Sequence, residues 1–173
     1  SDAPRRAKMF AEQRLPRGTS DIQGLSGSTM FQMNDAGLVL PVDYSKLKNA
    51  ANLMASMKYP YGVGHIYSGM VGVYHPKLMP APPKSYKEIF DPGHGSKLAL
   101  IDIQYQYNLT CAALAAGGKP GDIELGKKLL VECKKAGMRM YPTNEAFAQA
   151  LKAEEFALGV MWRARVVQWQ NAG

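Results

Sequence analysis

Short apolar runs alternate with stretches of helical periodicity through the second half of the chain. Residues 97–102, 138–141 and 157–162 place apolar side chains at consecutive positions, as buried strands do. Between them, apolar residues recur three or four positions apart until glycines stop the pattern. This alternation predicts an α/β fold with largely parallel sheets. The predicted helices cover residues 86–90, 108–116 and 122–136, then a segment capped by Thr143 or Asn144, and residues from Arg163 onward.

The first half of the chain has weaker patterns. They predict a helix from Ser1 or Asp2 to about Arg14, a strand at 21–25, a helix that ends at Gly37, and another that Asp43 caps and that includes Met57. Residues 63–74 are spaced by glycines and rich in β-formers, so they predict one bent strand or two short ones.

A proline-rich connector separates the two halves. Four prolines stand between residues 76 and 83, and they exclude the interior of a helix there. We therefore predict a first lobe at residues 1–75, a hinge or connector at 76–84 and a second lobe at 85–173. With about two strands before the connector and three after it, each lobe has a thin sheet.

Composition narrows the function classes. The chain has 173 residues and a net charge of +7, but its basic residues do not form a stripe alternating with aromatics, which argues against a nucleic-acid groove. No run of about 18 apolar residues is present, and the first ten residues lack an apolar signal core. The three histidines lack metal-ligand spacing, so we predict no metal and no cofactor. The sequence leaves open whether Cys111 and Cys133 form a disulfide.

Four segments stand out in chain order. They are residues 20–22 with 37–43 (GLVLPVD), 72–78 (GVYHPKL), 83–92 (PKSYKEIFDP) with 95–99 (GSKLA), and 153–159 (AEEFALG). Together they resemble the extracellular solute-binding proteins of ABC importers, and within these the type II group, which includes polyamine-, iron-, thiamine- and phosphonate-binding members. Tyr86 and His75 depart from the tryptophan and asparagine usual in this group.

This resemblance implies two α/β lobes with mainly parallel sheets joined by a hinge, and a small polar solute held in the cleft between them. It also implies a periplasmic or extracellular location, delivery of the solute to a membrane permease, no direct membrane insertion and no catalysis. At 173 residues the chain is roughly half a typical member. We therefore expect a fragment whose fold is incomplete at both ends.

The candidate ligand-binding residues lie where a predicted strand gives way to a helix, or just before the hinge. At such positions backbone N–H groups of a helix start face a ligand. Aromatic, amide and charged side chains accompany them, and Arg163 can bind an anionic group in bidentate fashion. The full set is Ser26, Gly27, Ser28, Tyr67, Ser68, Asp102, Gln104, Tyr105, Tyr107, Asn108, Thr110, Trp162 and Arg163.

Alternatives remain at this level. Helix starts, Arg163 and the positive charge favour a small anion or a carboxylate as the solute, whereas Asp102 with the aromatic residues suits a polyamine. A cleft enzyme would need a catalytic pair such as Asp102 with Glu145, and a nucleic-acid-interacting domain would bind with steep salt dependence.

Overall fold

The computed structural model describes residues 2–172, with side chains from residue 4 onward. The chain divides into a first unit, which ends at Tyr67, and a second unit, which begins at Ser68. The first unit consists of helices, turns and one small hairpin, whereas the second contains a four-stranded sheet covered by helices. The possible helix start at Ser1 falls outside the described residues.

The first unit holds two helices, α1 (Asp2–Glu12) and α2 (Gly27–Asp35), and a hairpin of β1 (Lys58–Tyr59) and β2 (Gly62–Val63). Gly37 follows α2 with φ 68°, which confirms the predicted helix end because glycine adopts this left-handed conformation without steric cost. The hydroxyl of Tyr44 donates hydrogen bonds to the carbonyls of Tyr59 and Gly62, at 3.0 and 2.9 Å, and so fixes the hairpin turn.

Two elements expected in the first unit are not formed. Residues 22–26 pair with no strand, so the predicted strand at 21–25 is wrong. The helix predicted after Asp43 is also wrong, because the chain makes three separate single turns. Asp43 does cap the first turn by accepting a hydrogen bond from the Ser45 N–H at 3.1 Å. Short serine and asparagine side chains in this stretch compete for backbone groups and weaken a continuous helix.

The second unit is built on strands β3 (Met70–Tyr74), β4 (Leu98–Ile101), β5 (Arg139–Tyr141) and β6 (Leu158–Trp162), in the spatial order β3-β6-β4-β5. Strand β4 is parallel to both β5 and β6, as the sequence predicts for this half of the chain. Strand β3 is antiparallel to β6, with Met70 opposite Trp162 and Tyr74 opposite Leu158.

The position of β3 corrects the lobe boundary drawn from the prolines. The sequence assigns residues up to 75 to the first lobe, but β3 shares one sheet with β4 and β6, and the two units divide between Tyr67 and Ser68. The reason is that the prolines punctuate a loop inside the second unit, between β3 and the next helix, and do not separate two sheets.

Within residues 2–172, strand β3 pairs with β6 on one edge and with no strand on the other. Backbone hydrogen bonds run from Arg163 N–H to the Gly69 carbonyl and from His75 N–H to the Ala157 carbonyl. In an antiparallel pair every second residue bonds to the neighbouring strand, so residues 69, 71, 73 and 75 face β6. The backbone groups of Met70, Gly72 and Tyr74 therefore face away from β6. The Met70 carbonyl accepts a 2.6 Å hydrogen bond from the Tyr86 hydroxyl, which covers the first part of this edge.

Helices cover both faces of the sheet. One core cluster joins Leu98, Leu100 and Val160 to the helices on one face, and the other joins Ile101, Met161 and Phe147 to the helices on the opposite face. This division follows the period-two alternation of side chains along a strand. The helices are α3 (Tyr86–Ile89), α4 (Tyr105–Ala115), α5 (Ile123–Lys135), α6 (Asn144–Lys152) and α7 (Arg163–Ala172).

Two of these helices start at a side-chain cap, and Thr143 is the cap of the two residues that the sequence allows for α6. Ser85 and Thr143 cap α3 and α6 by accepting hydrogen bonds from the N–H groups of Glu88 and Ala146. Helix α5 lies close against α4 at Gly126, where a Cβ atom would collide with the Leu109 carbonyl oxygen. Single residues thus determine where α3 and α6 begin and how closely α5 approaches α4.

Candidate functional site

Three strands of the second unit end at one edge of the sheet, and a helix begins after each. Because β4, β5 and β6 are parallel, their carboxyl ends point the same way, and α4, α6 and α7 start beyond them. We call this the carboxyl edge. Antiparallel β3 begins there, opposite Trp162, so Ser68 also lies at this edge. Such an edge is where open α/β sheets bind ligands.

Aromatic side chains gather at the carboxyl edge. The rings of Tyr107, in the first turn of α4, and Trp162, the last residue of β6, meet edge to face with centroids 4.5 Å apart. Tyr105, at the start of α4, is 58% exposed. The structure thus brings together two of the aromatic residues singled out from the sequence and leaves a third open to solvent.

Opposite charges stand at the ends of neighbouring strands. Asp102 follows β4 and Arg163 follows β6, and both are exposed. Within residues 2–172, neither side chain belongs to an ion pair. A carboxylate and a guanidinium without ionic partners are therefore both present at this edge to bind a charged solute.

Gln104 and Asn108 lie inside the protein, where each joins two elements. Gln104 is 5% exposed, and its Nε2 donates a 2.7 Å hydrogen bond to Oδ1 of Asn144. Asn108 is 2% exposed, and its Nδ2 donates a 2.8 Å hydrogen bond to the Ile101 carbonyl. In the described structure, Gln104 Oε1 and Asn108 Oδ1 have no hydrogen-bond partner. Both amides therefore lie inside the protein next to the carboxyl edge and hold the helix starts and strand ends there together.

Thr110 uses its hydroxyl within its own helix. Its Oγ1 donates a 3.0 Å hydrogen bond to the Gln106 carbonyl one turn earlier. The assignment of Thr110 to the ligand remains a prediction.

The candidate residues of the first unit show part of the expected local geometry. Gly27 begins α2 as predicted, after an extended segment in place of a strand. The Ser26 hydroxyl lies 3.4 Å from that of Ser28 and donates to Thr29 Oγ1 at 3.1 Å. Tyr67, the last residue of this unit, is 77% exposed. Their contact with a ligand also remains a prediction.

Sequence reasoning missed Asn144 as a residue that supports the carboxyl edge. It considered this residue only as a helix cap, whereas the structure makes it the first residue of α6 at the carboxyl edge, bonded to Gln104. The rule that selected Tyr105 and Arg163 also selects Asn144, since it follows a parallel strand and opens a helix.

Two hollows flank β3, and Asn144 lines the first of them. One, of about 620 Å³, lies between β3, α6 and α7 and includes Val73, Val166 and Trp169 in its wall. The other, of about 640 Å³, lies between β3 and residues 82–89. None of the thirteen residues selected from the sequence lines either hollow.

Several kinds of site are not found in the described part of the chain. Residues 2–172 contain no cluster of three histidine, cysteine or acidic side chains arranged to hold a metal. None of their helices has the length and hydropathy needed to cross a membrane. Cys111 and Cys133 are both free and buried, so no disulfide joins α4 to α5.

The fold is shared with solved transport proteins. An ABC transporter protein from Clostridium perfringens is 23% identical with a TM-score of 0.77, and 94% of this chain covers 53% of its length. A substrate-binding protein from Bradyrhizobium japonicum is 21% identical with a TM-score of 0.84, and the whole chain covers 55% of its length. The chain thus spans about half the length of these proteins. At such identities the likeness establishes the fold, an α/β fold of the type II periplasmic binding protein kind.

The sequence itself carries the family signal. No curated protein sequence matches significantly. Residues 8–173 match the family model described as bacterial extracellular solute-binding protein. This match confirms the resemblance seen in the four segments, and it places the protein outside the cytoplasmic membrane, as expected. The chain belongs to the family of bacterial extracellular solute-binding proteins.

Proposed function

We propose that this chain contributes to the substrate-binding component of an ABC importer, which captures a small polar solute and delivers it to a membrane permease. The observation that carries the proposal is the carboxyl edge, where three helices begin beside the exposed charges of Asp102 and Arg163. Helix starts attract negative groups, and the side chains add both signs of charge. The role requires binding and release without chemistry on the solute.

The solute-binding residues we propose are the thirteen selected from the sequence. Ser26, Gly27, Ser28 and Tyr67 come from the first unit, and the remaining candidates come from the second. In the whole protein, closure of the two lobes buries the solute between them. Gln104 and Asn108 act from inside the second unit, since both are buried.

A small anion or carboxylate is the solute class we favour. Three helix N-termini, the free guanidinium of Arg163 and the net charge of +7 all attract negative charge. A polyamine is the competing class, because Asp102 and the Tyr107–Trp162 pair offer a carboxylate and aromatic rings to an ammonium group. Proteins of this fold bind varied ligands, since solved structures of similar fold include a GABA receptor, a spermidine/putrescine substrate-binding protein and an iron-bound protein.

Three probes with the same four-carbon spine separate these classes. Isothermal calorimetry of the intact protein with succinate, 4-aminobutyrate and putrescine compares two carboxylate ends, one carboxylate and one ammonium end, and two ammonium ends. We expect binding of succinate or 4-aminobutyrate and weaker binding of putrescine. Tight binding of putrescine alone would transfer the assignment to polyamines.

Native mass spectrometry of the freshly purified protein searches for a solute outside this series. We expect a small molecule to co-purify, because a closed cleft releases its ligand slowly. A protein that carries no small molecule and binds none of the three probes would contradict the proposed function.

A further inference from the structure

One buried side chain connects three elements at the carboxyl edge. Gln104 precedes the first residue of α4, and its Nε2 donates a 2.7 Å hydrogen bond to Oδ1 of Asn144, the first residue of α6. The same nitrogen lies 3.9 Å from the sulfur of Met161, in β6. Two helix starts and a strand end therefore meet at one amide.

Gln104 carries an unpaired polar atom beside apolar side chains. Met161 belongs to the apolar cluster of Ile101 and Phe147, so the amide borders a hydrophobic core. The Oε1 of Gln104 is buried and has no partner within the described residues, which disfavours the folded state. A methionine of similar volume would remove this acceptor, and Oδ1 of Asn144, which belongs to a half-buried side chain, would then accept from water.

The start of α6 has few other ties to α4. Thr143 caps α6, but its 3.1 Å hydrogen bond goes to Ala146 within the same first turn. Asn108 binds the Ile101 carbonyl and so fixes α4 on β4 without reaching α6. Among the described hydrogen bonds, the one between Gln104 and Asn144 is what links the two helix starts directly.

We propose that Gln104 is a positioning residue for the solute site, an inference that rests on the proposed function. Its hydrogen bond to Asn144 holds the start of α6 in register with the start of α4, so that N–H groups of both helices face the same group of the solute. Gln104 itself does not touch the solute, because it is buried beneath the edge. Its contribution to affinity comes through α6.

Substitution in the intact protein separates positioning from stability. Gln104→Met removes the hydrogen bond and the unpaired oxygen while keeping the volume. We expect an unfolding midpoint equal to or above that of the wild type, and at least fivefold weaker binding of whichever of succinate, 4-aminobutyrate and putrescine the wild type binds. Gln149→Met, the same change at an exposed position of α6, is the control and should leave both quantities unchanged.

A reciprocal swap provides the rescue. Gln104→Asn with Asn144→Gln keeps an amide pair of the same total length, and we expect affinity within about twofold of the wild type. Equal affinity of Gln104→Met and wild type would overturn the inference, as would a loss of affinity that accompanies an equally large loss of stability.

Hydrogen exchange tests the same inference without any solute. In Gln104→Met we expect faster exchange of the backbone N–H groups in the first turns of α4 and α6, with β4 and β6 unchanged. Unchanged exchange at both helix starts would contradict positioning even if no probe binds. Failure of the wild type to bind any probe, with the exchange result as expected, would count against the proposed function and not against this link.

Discussion

The ring of Tyr107 meets the ring of Trp162 edge to face, with centroids 4.5 Å apart and planes at 74°. The pair joins the first turn of α4 to the end of β6 across the carboxyl edge. Such pairs contribute about 0.5–1.5 kcal/mol beyond the burial of their area. These two proposed site residues therefore form one structural unit, and substitution of either ring should alter the position of the other.

Trp162 should report solute binding through its fluorescence. The protein has two tryptophans, and the other, Trp169, packs against Phe147 with ring centroids 6.2 Å apart. We expect Trp169→Phe to keep the emission change on addition of the solute and Trp162→Phe to lose it. Calorimetry on both variants checks that binding persists. A full emission change in Trp162→Phe would place the solute elsewhere.

Removal of the Arg163 guanidinium should discriminate between solute classes. A hydrogen bond to a charged group contributes about 1.5–3 kcal/mol, so Arg163→Ala should weaken a carboxylate at least tenfold. A polyamine should bind equally well or better, because a like charge has gone. Lys127→Ala is the control, since Lys127 is exposed on α5 and pairs with Glu124 at 3.7 Å. Unchanged carboxylate affinity in Arg163→Ala would argue against this residue as the anion contact.

Glu154 should be a position where glycine stabilises the fold. Its φ of 59° is left-handed, a conformation that glycine adopts without steric cost. Relief of this conformation in a Lys77→Ala background, where the ion pair to Glu154 is already absent, should raise the unfolding midpoint by about 2–4 °C. Calorimetric scans of Lys77→Ala with and without Glu154→Gly measure the difference. A lower midpoint in the double variant would show that the turn carries no strain.

The Lys77–Glu154 ion pair should stabilise the protein only between mildly acidic and strongly basic pH. The 2.7 Å hydrogen bond from Lys77 lowers the pKa of Glu154 below 4.5 and raises the pKa of Lys77 above 10.5. The contribution is thus complete above the ordinary glutamate pKa, lost as the pH falls through the lowered value, and lost again at high pH. The unfolding midpoints of the wild type and Glu154→Gln should differ slightly at pH 7, and the difference should shrink as the pH falls through the lowered pKa of Glu154. A difference that stays constant throughout the acid range would contradict the pairing.

Both thiols should be inert in the folded protein. Burial raises the pKa of Cys133 to about 11 and also raises the pKa of Cys111, and only a thiolate reacts with disulfide reagents. We expect no reaction with such a reagent under native conditions and two thiols after unfolding. Fewer than two thiols in the unfolded, unreduced protein would reveal a covalent modification or a disulfide.

The second unit was largely predictable because its signals are local and mutually consistent. Apolar strand runs, glycine stops and the Thr143 cap each specify one element, and a parallel sheet follows from their alternation. The first unit was less predictable. Around residues 43–57 the apolar spacing indicates a helix, but serine and asparagine side chains compete for the backbone hydrogen bonds. The spacing of apolar residues does not show which of these two effects is stronger.

The candidate site was predictable in place more than in detail. Strand-end reasoning found Asp102, Tyr105 and Arg163 at the carboxyl edge, because parallel strands must end together. It could not tell that Gln104 and Asn108 turn inward, since burial of a polar side chain depends on partners distant in the chain. The assignment of β3 failed for the same reason, because its pairing with β6 spans nearly ninety residues.

The free edge of β3 makes the second unit a receptor for another backbone. Within the described residues, the N–H and C=O groups of Gly72 and Tyr74 point away from β6 and pair with no strand, whereas the Met70 carbonyl accepts from the Tyr86 hydroxyl and Pro76 follows closely. An edge this short offers too few hydrogen bonds to seed a fibril, yet it is long enough to accept one tethered strand. For protein engineering it is therefore an attachment point for a grafted strand or a split-reporter tag, on the side of the sheet opposite β5.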